Sequence, residues 1–297
     1  MAEFSFYSHM RMFLKVIVIL LLSVAALLSF FVLYFRYQLQ KHRQPVPIYQ
    51  AFPLPDAART VMIVFAHPDD EIAIAGTLAQ MKQQRNLQIV GIYLTAGEAG
   101  KTGGLVPKEK LAETRTKELQ QAGEILGFRQ LEMLGFPDSG LKNTSPDTVK
   151  AALLAAIERY RPEVIISFDD KVGLYGHPDH LHTGRWVLEL CRQRADSANF
   201  PVQQLYCPAL TDGMIELAMT ISQTFKRNYP QDPAKGLPPP DFGIHISQQG
   251  EEKLRAIQAH RTQKHIFDDV FPFHDRISPR WYFRLFGEEY YALIWKK

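Results

Sequence analysis

The sequence predicts an α/β protein with a Rossmann-like, mostly parallel sheet and helices on both faces, preceded by one transmembrane helix. Three observations carry this. Apolar runs of strand length alternate with amphipathic stretches of helix length from residue 60 onward, and parallel neighbours need such crossover connections. The residues 16–35 form 20 consecutive positions without a charge, about 30 Å of helix and therefore one bilayer core. No GxGxxG follows the first predicted strand, which argues against a dinucleotide site.

Taken in order, residues 1–15 read as an N-terminal tail and Val16–Phe35 as the membrane span. The apolar core is longer than that of a cleaved signal peptide, and no small-x-small site follows before Arg36. Two basic residues precede the span (Arg11, Lys15) and three follow it (Arg36, Lys41, Arg43), a bias toward a cytoplasmic catalytic domain. Residues 36–59 carry Pro45, Pro47, Pro53 and Pro55 and predict a semi-rigid tether. The domain then occupies residues 60–297. Its expected elements are a strand at Val61–Ala66, a helix at Glu71–Gln84, a strand at Leu87–Thr95 and a Gly/Lys-rich loop to Pro107. A helix Lys108–Leu126 stopped by Gly127 follows, then a strand near Gln130–Leu134. Next come a helix to Tyr160, a strand Val164–Phe168 and a helix from about His180. Beyond the Pro-rich loop at Pro230–Pro240, Gln249–Gln263 reads as a helix, and Trp281–Phe286 and Tyr290–Trp295 as two late strands.

Composition narrows the function. With 46% apolar and 22% charged residues the 297-residue chain supports a sizeable core. A net charge of +3 spread along the chain gives no electrostatic case for nucleic acid. Cys191 and Cys207 form neither a CxxC pair nor a disulfide framework.

The chemistry is concentrated in two places. Val61–Glu71 (VMIVFAHPDDE) ends a strand on one imidazole and three carboxylates, and Tyr175–His182 (YGHPDHLH) repeats the His-Pro-Asp core with two further imidazoles. In open α/β sheets ligands bind beyond the carboxyl ends of strands, so both clusters can meet in one crevice. Two imidazoles and one carboxylate with open positions suit catalytic zinc. His67, Asp70 and His180 are the expected ligands. Asp69 is left as general base, and His177, as an imidazolium, as oxyanion stabiliser or acid toward a leaving amine. Taken alone, HPDD also reads as a plain helix start; a second histidine-rich cluster at a strand-to-helix junction tips the balance toward a site. Glu71 is expected to orient the ligands, and His182 to support the site or pack.

These motifs, Ala66–Glu71 and His177–His180, resemble those of the PIG-L/LmbE-like family of zinc-dependent N-acetylglucosaminyl deacetylases. The similarity extends over roughly Thr60–Gln263, through Thr95–Gly100, Arg115, Glu118, the GFPDSG turn and AHRTQ at Ala259–Gln263. The resemblance implies the same ligands and base. It further implies sugar contacts by Arg115 and Asp138, a substrate contact by Glu98, oxyanion assistance by Tyr175 and a supporting role for His260. The expected function is a membrane-anchored hydrolase that removes acetyl from an amino sugar, lipid-linked or of the cell envelope. The alternatives are a turnover-free sugar-binding module that keeps the metal, and non-haem iron chemistry on the same triad.

Overall fold

The computed structural model describes residues 2–56 and 58–297, with the backbone alone for 2–8. Met1 of the expected tail and Ala57 of the expected tether lie outside the described residues. In chain order the elements are α1 (Ala2–Gln40), β1 (Ile48–Tyr49), β2 (Thr60–Phe65), α2 (Ala75–Met81), β3 (Gln88–Tyr93), α3 (Leu111–Leu126) and β4 (Phe128–Met133). They continue with α4 (Pro146–Tyr160), β5 (Val164–Ser167), the single turn α5 (Gly173–Gly176), α6 (Pro178–Arg194), β6 (Gln204–Ala209), α7 (Asp212–Ile221) and α8 (Gln223–Asn228). The last are β7 (Phe242–His245), α9 (Gly250–Ala259), α10 (Lys264–Val270), α11 (Pro279–Leu285) and β8 (Glu288–Lys296).

Eight strands form one sheet in the order β1-β7-β8-β6-β5-β2-β3-β4. Every pairing is parallel except those of β8, which runs antiparallel to both β6 and β7. Alternation along β2 divides the core: Val61, Ile63 and Phe65 pack into one apolar layer, and Met62 and Val64 into the other, as the two faces of a strand require. From β2 the chain moves outward through β3 to β4, then returns to β2's other side with β5. The carboxyl ends of β2 and β5 therefore flank the point where strand order reverses, the place such sheets offer to ligands.

Several expectations need correction. Trp281–Phe286 is not a strand: it lies almost wholly in helix α11, with Pro279 in the first turn. Its two consecutive buried residues, Tyr282 and Phe283, cannot both face one side of a strand. The helix expected at Glu71–Gln84 is a 3₁₀ turn at Asp70–Ile74 followed by a shorter α2. Strands β6 and β7 were not foreseen, β6 because Pro208 interrupts its signal. The Pro-rich segment is packed rather than extended: β1 pairs with β7, and Phe52 sits edge-on to Tyr206, Phe242 and Tyr291.

Helix α1 runs without a break through the expected tail, the span and the start of the tether. From His9 to Gln40 it carries a mean hydropathy of 3.1 in its most apolar window, none of it buried. Its last turns dock on the domain. Arg36 reaches Glu288 at 2.5 Å, Phe35 meets Phe286 edge-on, and Thr211 Oγ1 donates to the Leu39 carbonyl.

Candidate active site

The loop after β2 places the first cluster. His67 N–H donates to Asp70 Oδ2 at 2.8 Å, and Asp69 takes a left-handed backbone (φ 106°, ψ −17°). For a residue with a side chain that costs on the order of 1–3 kcal/mol. Hydrogen bonds hold it there: Asp69 N–H donates to Glu71 Oε2 at 3.0 Å, and Arg115 donates to the Pro68 carbonyl and to Asp69 Oδ2, the latter at 2.9 Å. Arg115 is itself locked by the Gly97 carbonyl at 2.8 Å. Gly97 has a φ of 68°, and a Cβ there would stand 2.2 Å from the guanidinium, so this approach requires glycine.

The second cluster follows β5. Asp169 accepts from the backbone N–H groups of Lys171, Val172 and Leu174 and shapes the turn into α6. His177 caps α6, its Nδ1 accepting from Asp179 N–H at 3.2 Å. His180 Nδ1 faces the Gly173 carbonyl at 3.2 Å; donation there leaves Nε2 as the acceptor. Gly173 allows this contact, because at φ 67° an added Cβ would lie 2.7 Å from His180 Cβ.

The two clusters meet. His67 Nδ1 lies 3.2 Å from His180 Nε2, and the Asp70 carboxylate is 3.0 Å from His180 Nε2 through Oδ1 and 3.6 Å from His67 Nδ1 through Oδ2. Ligand atoms about 2.0–2.1 Å from a tetrahedral zinc stand roughly 3.3 Å apart, so this donor set fits such an ion. The far nitrogen of His67 is held from behind, with Nε2 3.1 Å from Asp138 and 3.4 Å from Asp179. Carboxylates there fix the tautomer that frees Nδ1. His67, Asp138 and Asp179 also come within ligand spacing of one another, as do His67, His177 and His180. The first of these sets uses the opposite face of His67; in the second, His177 Nδ1 is already engaged by the cap.

Electrostatics follow from burial and these contacts. Burial pushes His67 down, but hydrogen bonds to Asp138, Asp179 and Asp70 outweigh it and hold the imidazole well above its usual range. Burial would raise Asp70, yet His180 and His67 hold it far below the usual carboxylate range. Asp69 is pushed up to about 6 by burial, against the pull of Arg115. Asp138 falls to about 2, where its bond to His67 overcomes burial. His177 falls to about 4, through burial and then repulsion by His180 and His67. It is therefore a neutral imidazole near pH 7, not the expected imidazolium; with Nδ1 accepting, the proton sits on Nε2. Tyr175 rises well above its usual range through burial, so its hydroxyl stays a donor, with the ring edge-on to His180 at 4.9 Å.

These residues line a cavity of about 500 Å³. It joins a polar end, with His67, Asp69, Asp70, His177 and His180, to an apolar wall that includes Leu217, Phe225, Phe267 and Leu39 of α1. Among the residues expected to contact sugar, Arg115 and Asp138 border the cavity but are bonded to Asp69 and His67. Glu98 is not in the wall; its carboxylate accepts the Asp138 N–H at 2.8 Å. Glu71 is fully buried and bonds His260 at 2.5 Å and the Tyr93 hydroxyl at 3.0 Å, so it braces the loop. His182 packs with its ring tilted against Trp186 at 5.3 Å and is not in the cavity wall. Sequence reasoning passed over Asp169 and Asp179. Asp179 stood inside the second motif, and Asp169 directly follows a strand end, which was the available signal.

Sheet, switch point and the two His/Asp clusters together define an enzyme-type site on a Rossmann-like sheet, and the relatives identify the class as deacetylase. The chain belongs to the PIG-L/LmbE-like family: residues 62–191 match the family model described as PIG-L, GlcNAc-PI de-N-acetylase. A Bacillus anthracis protein named probable N-acetyl-alpha-D-glucosaminyl L-malate deacetylase 2 is 32% identical over 209 residues, 69% of this chain and 81% of that protein. Among solved structures, N,N'-diacetylchitobiose deacetylase from Pyrococcus horikoshii aligns with a TM-score of 0.57 at 21% identity, covering 80% of this chain and 84% of that one. The 4-carboxy-2-hydroxymuconate hydratase GalB from Pseudomonas putida aligns with the same TM-score at 19% identity, covering 80% and 97%. A hydratase shares this fold, so the fold alone does not select the reaction.

Proposed function

We propose that this protein is a membrane-anchored, zinc-dependent deacetylase that removes the N-acetyl group from an N-acetylglucosaminyl-type sugar carrying an apolar aglycone. The observation that carries it is the triangle of His67 Nδ1, His180 Nε2 and the Asp70 carboxylate at 3.0–3.6 Å, with Asp69 lining the same cavity. Asp138 and Asp179 orient His67, and the Gly173 carbonyl orients His180. Zinc at this position supplies a Lewis acid toward the amide carbonyl and lowers the pKa of water.

The chain's own residues do the rest. Arg115 occupies Oδ2 of Asp69, which leaves Oδ1 without a protein partner among the described residues. A carboxyl group near pKa 6 is ionised at neutral pH yet basic enough to take a proton from attacking water. The same group, once protonated, returns that proton to the departing nitrogen. His177 donates its Nε2–H to the carbonyl oxygen as charge develops there, and the Tyr175 hydroxyl, in the same cavity wall, assists. Arg115 acts through Asp69 as a positioning residue.

The anchor reading rests on α1, whose charge-free length matches a bilayer. The lipid aglycone rests on the apolar wall between the polar end and Leu39 of α1. The turnover-free module loses support, because a binder has no need of a carboxylate that lines the cavity with one oxygen free of protein partners among the described residues. Iron-based oxygen chemistry loses support for the same reason.

The test is acetate release by the purified full-length protein from a panel of N-acetylglucosaminyl lipids and glycosides, with and without chelator. Release from the lipids that stops with chelator and returns with zinc is expected. Chelator-insensitive release would overturn the metal assignment. Sugar binding without any release would favour the binding module.

A further inference from the structure

Outside α1, few large apolar side chains are exposed, and three of them fall on one short segment: Phe273 (60% exposed), Ile277 (40%) and Trp281 (62%). They recur every four residues, interleaved with Arg276, Arg280 and Arg284, all exposed. Arg276 lies over the Phe273 ring at 5.9 Å and Arg284 over the Trp281 ring at 5.0 Å. The segment is no loose end. Tyr282 and Phe283 bury its other side in the core, and its one exposed acid, Asp275, shares Lys264 with Asp268, at 3.2 and 2.6 Å, against three arginines.

Its position matters as much as its composition. The Arg284 carbonyl accepts from Arg36, and Phe286 meets Phe35. Arg36 is the first charge after the 20 charge-free residues of α1, so α11 packs at the level where the anchor leaves the hydrocarbon. Phe283 of this segment and the flanking Phe271, Pro272 and Phe286 border the active-site cavity.

We propose that residues 273–284 form a lip that inserts Phe273, Ile277 and Trp281 into the interfacial layer of the bilayer holding α1, with Arg276, Arg280 and Arg284 on anionic lipid headgroups. Aromatic rings and long basic side chains favour this layer, and basic clusters beside an anchor are drawn to anionic lipid. The inference rests on the membrane-anchor reading and adds that the cavity rim is held in the membrane surface, where an apolar aglycone can enter without crossing water.

The test uses tryptophan emission of the full-length chain in vesicles of phosphatidylcholine with or without phosphatidylglycerol, containing lipids brominated at shallow or deep acyl positions. Trp186 is buried, and Trp295 lies at the opposite end of β8 from Glu288, roughly 23 Å away. Quenching is expected with shallow bromines, stronger with phosphatidylglycerol, and lost in Trp281→Phe. Neutralising Arg276, Arg280 and Arg284 to Gln is expected to remove the phosphatidylglycerol dependence. Carbonate washing reports the anchor separately. Carbonate-resistant protein with Trp281 unquenched overturns the lip alone, and protein released by carbonate without quenching overturns both readings.

Discussion

The tripeptide His-Pro-Asp occurs twice around this site and is folded in two ways. After β2, Pro68 leads into a left-handed Asp69, the imidazole turns Nδ1 toward His180, and the aspartate keeps one oxygen free. At the start of α6, Pro178 occupies an ordinary first helical turn, the imidazole becomes the cap, and the aspartate is buried behind His67. The same three side chains therefore yield a histidine turned toward His180 and a carboxylate with one oxygen free in one place, and a helix-capping histidine and a bracing carboxylate in the other. Backbone conformation assigns the roles, since it decides which atom of each side chain meets the cavity.

Substitutions at matching positions test this contrast. Asp69→Ala is expected to lower kcat about 10²–10⁴-fold with zinc content unchanged, measured by metal analysis beside acetate release; a parallel loss of zinc would mean that Asp69 is a ligand. His177→Ala is expected to lower kcat by roughly 10²–10³-fold, again with zinc retained, whereas His67→Ala is expected to lose the metal itself. Asp179→Asn, the counterpart of Asp69, is expected to weaken zinc affinity about 10–100-fold while turnover recovers at saturating zinc. If it abolished turnover at saturating zinc, the two aspartates would not differ as described.

The pH profile adds a finer test. Asp69 must be ionised to accept a proton, so kcat/KM is expected to fall on the acid side, at or below the value of about 6 that Asp69 takes without metal, because a neighbouring dication favours the carboxylate. Arg115 pulls that pKa down, so Arg115→Gln is expected to move the acid limb to higher pH; an unmoved limb would assign it to another group. The same shift bears on stability in chelator. A buried carboxyl with a raised folded pKa binds its proton more tightly folded than unfolded. Metal-free protein therefore loses stability through this group as pH rises from about 3.8 to about 6, and Asp69→Asn is expected to flatten that part of the profile. The smallest effect is expected at His182→Ala, whose ring lies beside Trp186 outside the cavity: a stability change within about 0.5 kcal/mol and unaltered zinc binding.

Much of this was readable from local pattern. Strand β2 announced itself as six apolar residues ending on a histidine, Gly127 marked the end of α3 with a φ of 85°, and both clusters fell at strand ends. Local pattern failed where neighbours distant in sequence decide. WYFRLF has the composition of a strand but not its alternation, and Phe52 looked like part of a tether until Tyr206, Phe242 and Tyr291 closed around it. Arg115 and Asp138 border the cavity, but nothing in their own segments showed that they also bond Asp69 and His67.

The amino-acid order alone established which donor types are present, their placement after two parallel strands and an apolar helix long enough for a bilayer, because residue type and period are properties of short segments. It took the folded chain to set which nitrogen of His67 faces His180, which oxygen of Asp69 stays free, how α1 docks through Arg36 on Glu288, and where residues 273–284 lie against it. Those outcomes depend on contacts between segments 46 to 252 residues apart in the chain, and their geometry exists only once the sheet has brought the segments together.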